Sequence, residues 1–170
     1  TDYEEDVYVG YRYFDTFGKD VSYPFGYGLS YTEFEYGEPS VEKEGDRYVV
    51  KMDVKNVGSM PGREVVQLYA SAPDAKAANK PEKELKAFTK TSELAPGAVE
   101  RVTLIFNEDD LASFDAEGSK WIVAPGEYSL LLGSSSRDIR KKLNVTTSGS
   151  ERKVNKALSP VVPVKTLGRK

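Results

Sequence analysis

The sequence predicts an all-β protein, an antiparallel sandwich of two sheets. Three observations predict it. Short segments of period two recur through the middle of the chain, apolar on one face and polar on the other. Turn signals built from Gly, Pro and Asn divide these segments at intervals of about ten residues. Apolar residues nowhere keep a helical spacing beyond two turns. About seven short strands over roughly 110 residues form the pattern of an immunoglobulin-like sandwich.

The elements follow in order. Arg47–Asn56 alternates, with Tyr48, Val50, Met52 and Val54 on one face and Val49, Lys51, Asp53 and Lys55 on the other. Asn56-Val57-Gly58-Ser59-Met60-Pro61-Gly62 supplies a turn, and Glu64–Ala70 resumes with Val66, Leu68 and Ala70 in register. Lys83–Thr91, with Leu85 and Phe88, is a weaker strand. Ala95-Pro96-Gly97 breaks the chain, after which Val99–Phe106 alternates through Val102, Leu104 and Phe106. Asn107-Glu108-Asp109-Asp110, followed by Leu111 and Phe114, reads as one capped helical turn whose acidic residues favour a helix N-terminus. Lys120–Val123, Glu127–Gly133 and Ile139–Val145 complete the set, with Pro125-Gly126 as a hairpin signal. Val50, Met52, Leu104, Phe106, Leu130 and the single Trp121 are expected between the sheets.

Three zones differ in texture: residues 1–37, 38–147 and 148–170. The first is aromatic and glycine-rich, holding Tyr8, Tyr11, Tyr13, Phe14, Tyr23, Phe25, Tyr27 and Tyr31 around Arg12 and Pro24. It reads as an extended segment that meets a neighbouring domain. The last is a basic tail or linker, with six Lys/Arg against one Glu from Glu151 onward, yet its dispersed Val and Leu residues suit an extended segment docked on a partner. The chain opens on Thr1 and reads as a piece of something longer.

Absences exclude whole classes of chemistry. The 170 residues contain no Cys and no His. Disulfide scaffolds, thiolate nucleophiles, Ser-His-Asp triads and the His-based zinc motifs are therefore ruled out. The net charge of −3 argues against a nucleic-acid partner, and no apolar run approaches the about 20 residues that span a bilayer. No cofactor and no metal are expected. The carboxylate groups Glu4/Glu5/Asp6, Glu82/Glu84 and Glu108/Asp109/Asp110 are sequence neighbours, whereas a glycosidase needs two carboxyls facing each other across a sugar. They read as solvated surface and helix-start charge, and no catalytic residue is assigned. Two readings stay open for the aromatic run around Arg12: packing against a neighbouring domain, or a sugar platform.

The stretch from Val7 to Tyr36, VYVGYRYFDTFGKDVSYPFGYGLSYTEFEY, resembles the hallmark segment of glycoside hydrolase family 3, the β-glucosidase and β-xylosidase family. Val9–Asp15 is similar to the element that closes the family's α/β sandwich domain, with Phe14 where Tyr is commoner. Pro24–Thr32 is similar to the element that opens its fibronectin type III-like domain. Lys83–Phe88, with Ala87 in place of Gly, Leu94–Gly97, Pro125–Tyr128 and Gly133–Arg140 continue the likeness in the family's order.

The resemblance implies a fibronectin type III-like β-sandwich over 38–147, with 1–37 as an interface segment and 148–170 as tail or linker. It implies an accessory, non-catalytic role beside a catalytic barrel and an α/β sandwich domain. The parent would be a retaining hydrolase of β-glucosides or β-xylosides. The family's Asp nucleophile and Glu acid/base motifs do not occur in this sequence. Tyr8, Tyr11, Arg12, Tyr13, Phe14, Pro24, Phe25 and Tyr27 are the expected interdomain residues, with Arg12 pairing across the junction and the rings losing their cover in the isolated chain. The alternative is a free-standing carbohydrate-binding or adhesion module. A secreted or periplasmic setting is favoured, with a cytoplasmic one also open.

Overall fold

A computed structural model describes residues 4–155 and 167–168. In chain order the elements are α1 (Tyr11–Thr16), β1 (Phe34–Tyr36), β2 (Ser40–Glu44), β3 (Arg47–Asn56), β4 (Val65–Ser71), β5 (Glu84–Lys90) and β6 (Val99–Asn107). A 3-10 turn (Glu108–Leu111) follows, then β7 (Ser113–Asp115), β8 (Lys120–Val123), β9 (Gly126–Gly133), β10 (Ile139–Thr147) and β11 (Ser150–Lys153).

Two antiparallel sheets face each other. In the first, β3 pairs along its whole length with β6 on one edge. On its other edge it pairs with β2 and then β1, placed end to end. The second runs β10-β9-β4-β5. Period two on β3, β6 and β9 places Val50, Met52, Val54, Leu104, Phe106 and Leu130 in the shared core, as expected from their alternation. Tyr48 and Phe106 stack with ring centroids 5.1 Å apart. Val49 departs from the pattern. It lies on the outer face yet is buried, because its short side chain sits between Glu42 and Ile105 of the two flanking strands.

Trp121 corrects the sequence reading. It is 38% exposed, and its strand β8 belongs to a separate three-stranded sheet, β11-β8-β7, rather than to either sheet of the sandwich. Val123 on the same strand enters the core, while Trp121 packs on Phe114 at the rim with centroids 5.2 Å apart. The expected helical turn after Asn107 is a 3-10 turn. Its Asp110 carboxylate accepts the Asn107 backbone N–H at 2.7 Å.

Strands also lie on either side of residues 38–147. Strand β1 begins before residue 38 because Phe34 and Tyr36 are inward-facing core residues paired with the end of β3. Beyond residue 147, β11 pairs with β8, so the start of the tail is part of a sheet. The apolar tail positions from Ala157 to Val164 lie outside the described residues.

Candidate interdomain interface

The N-terminal segment is not uniformly extended. Gly10, at φ +59°, starts the six-residue helix α1, and the chain turns back at Gly18, also in the left-handed region. Spacing on a helix then sorts the side chains: positions i, i+1, i+4 and i+5 share a face. Tyr11, Arg12, Asp15 and Thr16 are that face, and all four engage β5 or the loops that flank the second sheet. The Tyr11 hydroxyl accepts the Leu85 backbone N–H at 2.8 Å, and the Thr16 hydroxyl accepts that of Glu82 at 2.9 Å. Arg12 pairs with Glu84 at 3.0 Å. Asp15, with only 4% of its side chain exposed, meets Arg137 at 2.7 Å and Lys83 at 3.6 Å.

The rest of the segment lies over the outer face of β4. That face carries Gln67 and Tyr69, and both are buried. Tyr11 stacks on Phe25 at 4.5 Å and meets Tyr69 edge-on at 6.0 Å. The Gln67 amide donates to the carbonyls of Gly26 and Ser134, while its oxygen accepts the Tyr69 hydroxyl. Gly26 is required here. Its φ is +78°, and an added Cβ would stand 2.1 Å from the Gln67 side chain. Ser136 donates its N–H to Phe25, and Arg137 donates to the carbonyl of Lys19. At the segment's end, Asn56 uses its full hydrogen-bonding capacity. It donates to Met60 and Leu94 and accepts from Thr32 and Gly58, which ties the loop to the first sheet.

A second polar cluster lies at the base of this loop. The Tyr36 hydroxyl donates to buried Glu64 at 2.8 Å. Burial pushes the Glu64 carboxyl above its ordinary range and raises the Tyr36 phenol, with the neighbouring Glu64 charge adding to the second shift. Arg140 lies 4.8 Å over the Tyr36 ring, donates to the Phe34 carbonyl and pairs with Asp138 at 2.8 Å. That hydrogen bond holds the Asp138 carboxyl below its usual range. Glu64 is thus held by a phenol next to a guanidinium. Among the described residues no group of three or more Asp or Glu is arranged to hold a metal ion.

The eight residues expected at an interface fall into two sets. Tyr8 is 1% exposed, shielded within this chain by Phe17 and hydrogen-bonded to Asn79. Tyr11, Arg12, Tyr13 and Pro24 are half-buried, and Arg12 pairs with Glu84 of the same chain. Phe14, Phe25 and Tyr27 are exposed. Val9, Tyr23, Leu29 and Tyr31 of the same segment are exposed as well, the last two 90% and 97%, and Tyr23 lies against Tyr27 with ring centroids 5.2 Å apart. Sequence reasoning missed Asp15, Lys83, Arg137, Gln67 and Tyr69. One signal was available for the first: a lone carboxylate among Phe14, Thr16 and Phe17 needs a buried partner.

A fibronectin type III-like domain model matches residues 64–136. The chain is 42% identical to a β-glucosidase of Ruminococcus albus over 98% of its own length and 18% of that relative's. It superposes on β-glucosidase 3B of Thermotoga neapolitana, solved with α-D-glucose, with a TM-score of 0.84 at 47% identity, over 89% of this chain and 21% of that one. A family 3 β-glucosidase of Bifidobacterium adolescentis matches with a TM-score of 0.77 at 40% identity, over 84% and 21% of the two chains. This is a fibronectin type III-like region of glycoside hydrolase family 3. The family 3 region spans about a fifth of the length of these relatives. The likeness extends well beyond residues 64–136, so the N-terminal segment and the sandwich are matched as one unit.

Proposed function

We propose that this chain is a non-catalytic accessory sandwich of a β-glucosidase-type hydrolase, and that its N-terminal segment is the plate on which the neighbouring catalytic domains rest. One observation carries the reading: the segment is two-sided. Its inner face is fastened to β4, β5 and the loop at 134–137 by ion pairs and backbone hydrogen bonds. Its outer face leaves Tyr23, Leu29 and Tyr31 largely exposed and Phe25 and Tyr27 about half exposed. An apolar strip of that size on an isolated sandwich is an aggregation liability, and against a second domain the same rings stabilise a junction.

The relatives' names supply the reaction class, hydrolysis of β-glucosides, with β-xylosides as the other substrates the family resemblance implies. The barrel and the α/β sandwich domain of the longer protein are the proposed partners. Within the chain, Glu64, whose carboxyl burial pushes above its ordinary range, lies under Tyr36, which suits a structural tie better than an acid or base facing a sugar. The test has two arms. The purified chain should not hydrolyse aryl β-glucosides. In the full-length protein, replacing Tyr23, Tyr27 and Leu29 together by Ser should lower the melting temperature, while the same change leaves that of the isolated chain nearly unaltered. Turnover by the purified chain, or equal shifts in both proteins, would overturn the reading.

A further inference from the structure

Beside the exposed strip lies a polar groove of about 520 Å³, bounded by the loop from Gly26 to Phe34, the Arg63–Val65 stretch, the end of β5 at Lys90, and Ser134 with Arg140. Its charges are unevenly committed. Arg140 is bound to Asp138 and the Phe34 carbonyl, and Glu64 to Tyr36. Arg63 and Lys90 are exposed, and among the described residues neither has an ion-pair partner. Glu33 is the one exposed carboxylate of the lining. Two cations against one anion leave a positive rim on a chain whose net charge is −3. Leu29, almost wholly exposed, lines the same groove, and Phe34 lies at its buried side.

We propose that this groove seats an acidic, partly apolar segment of the neighbouring domain. Carboxylates would lie on Arg63 and Lys90, and an aliphatic or aromatic side chain against Leu29. This deepens the accessory-domain reading and rests on it. Two arguments commit the groove to that occupant. The first is charge complementarity: paired cations beside an apolar residue recognise alternating acidic and apolar side chains, whereas a neutral sugar leaves both cations unanswered. The second is continuity, because Leu29 belongs at once to the groove and to the outer strip. The volume suits several side chains of one short segment. A rim charge pair of this kind sets register between domains more than it adds affinity.

Charge reversal in the full-length protein tests it. The Arg63→Glu/Lys90→Glu variant should melt several degrees lower than the wild type at low ionic strength, and the deficit should shrink at high salt, as expected for exposed pairs. The same variant of the 170-residue chain should melt as its wild type does. A full-length deficit that salt does not attenuate, or one matched in the isolated chain, overturns the groove assignment. The Tyr23/Tyr27/Leu29 variant separates the two proposals. If it destabilises the full-length protein while charge reversal does not, the junction stands and the groove assignment falls. If neither does, both fall.

Discussion

Replacing Asp15 by Asn removes a charge while keeping the side chain's shape. Its carboxylate is 4% exposed, 2.7 Å from Arg137 and 3.6 Å from Lys83. Breaking a buried ion pair by deleting one partner costs about 3–5 kcal/mol, because the other charge stays buried without compensation. Arg137 is about a third exposed and can turn to water. The stranded charge is therefore mainly Lys83, whose side chain is only 10% exposed, and this sets the expectation at the lower end, about 3 kcal/mol. For a domain of this size that is a fall of roughly 6–12 °C in melting temperature. Calorimetry gives the total. Hydrogen exchange at the Leu85 and Ser136 amides, both bonded to the N-terminal segment, shows whether the loss is local undocking. Lys83→Met in the Asp15→Asn background should restore most of the stability by removing the stranded ammonium. A single-variant cost below about 0.5 kcal/mol, or no recovery in the double variant, would refute the view that this cluster clamps the segment.

Three further outcomes are expected. Phe106→Ala removes a fully buried ring stacked on Tyr48 and should cost about 3–5 kcal/mol by urea denaturation. Trp121 should emit like a partly hydrated indole and be quenched by acrylamide, and as the only Trp it reports its site alone; emission like that of a core indole would contradict its place at the rim. Glu64 holds its proton more tightly folded than unfolded, so its contribution to stability is fully present below the unfolded value near 4.5 and is lost as pH rises through the raised folded value. Glu64→Gln should therefore remove a stability decline on the alkaline side of 4.5 in melting temperature against pH, and parallel curves for variant and wild type would exclude that linkage.

The sandwich was legible from local pattern because alternation is a local code. Whether a strand residue faces water or core depends on its parity with its neighbours, so Val50, Met52, Leu104 and Phe106 could be placed without knowing the partner strand. Turn residues mark strand ends by the same short-range physics. Trp121 shows the limit of that code. Its strand is identified correctly, yet exposure depends on which sheet the strand joins, and that is settled by pairing with β7 and β11.

The N-terminal segment had no period to read, since aromatic rings at irregular spacing serve equally well inside or outside. Its sequence determined that many rings would need cover. Only the tertiary structure decided which rings are covered by this chain and which are left for another. Asp15 and Arg137 stand 122 positions apart, and Tyr11 and Leu85 stand 74 apart. Contacts of that span follow from how the sheet presents its outer face. Tyr8 therefore lies beneath the plate while Leu29 and Tyr31 stand on top of it.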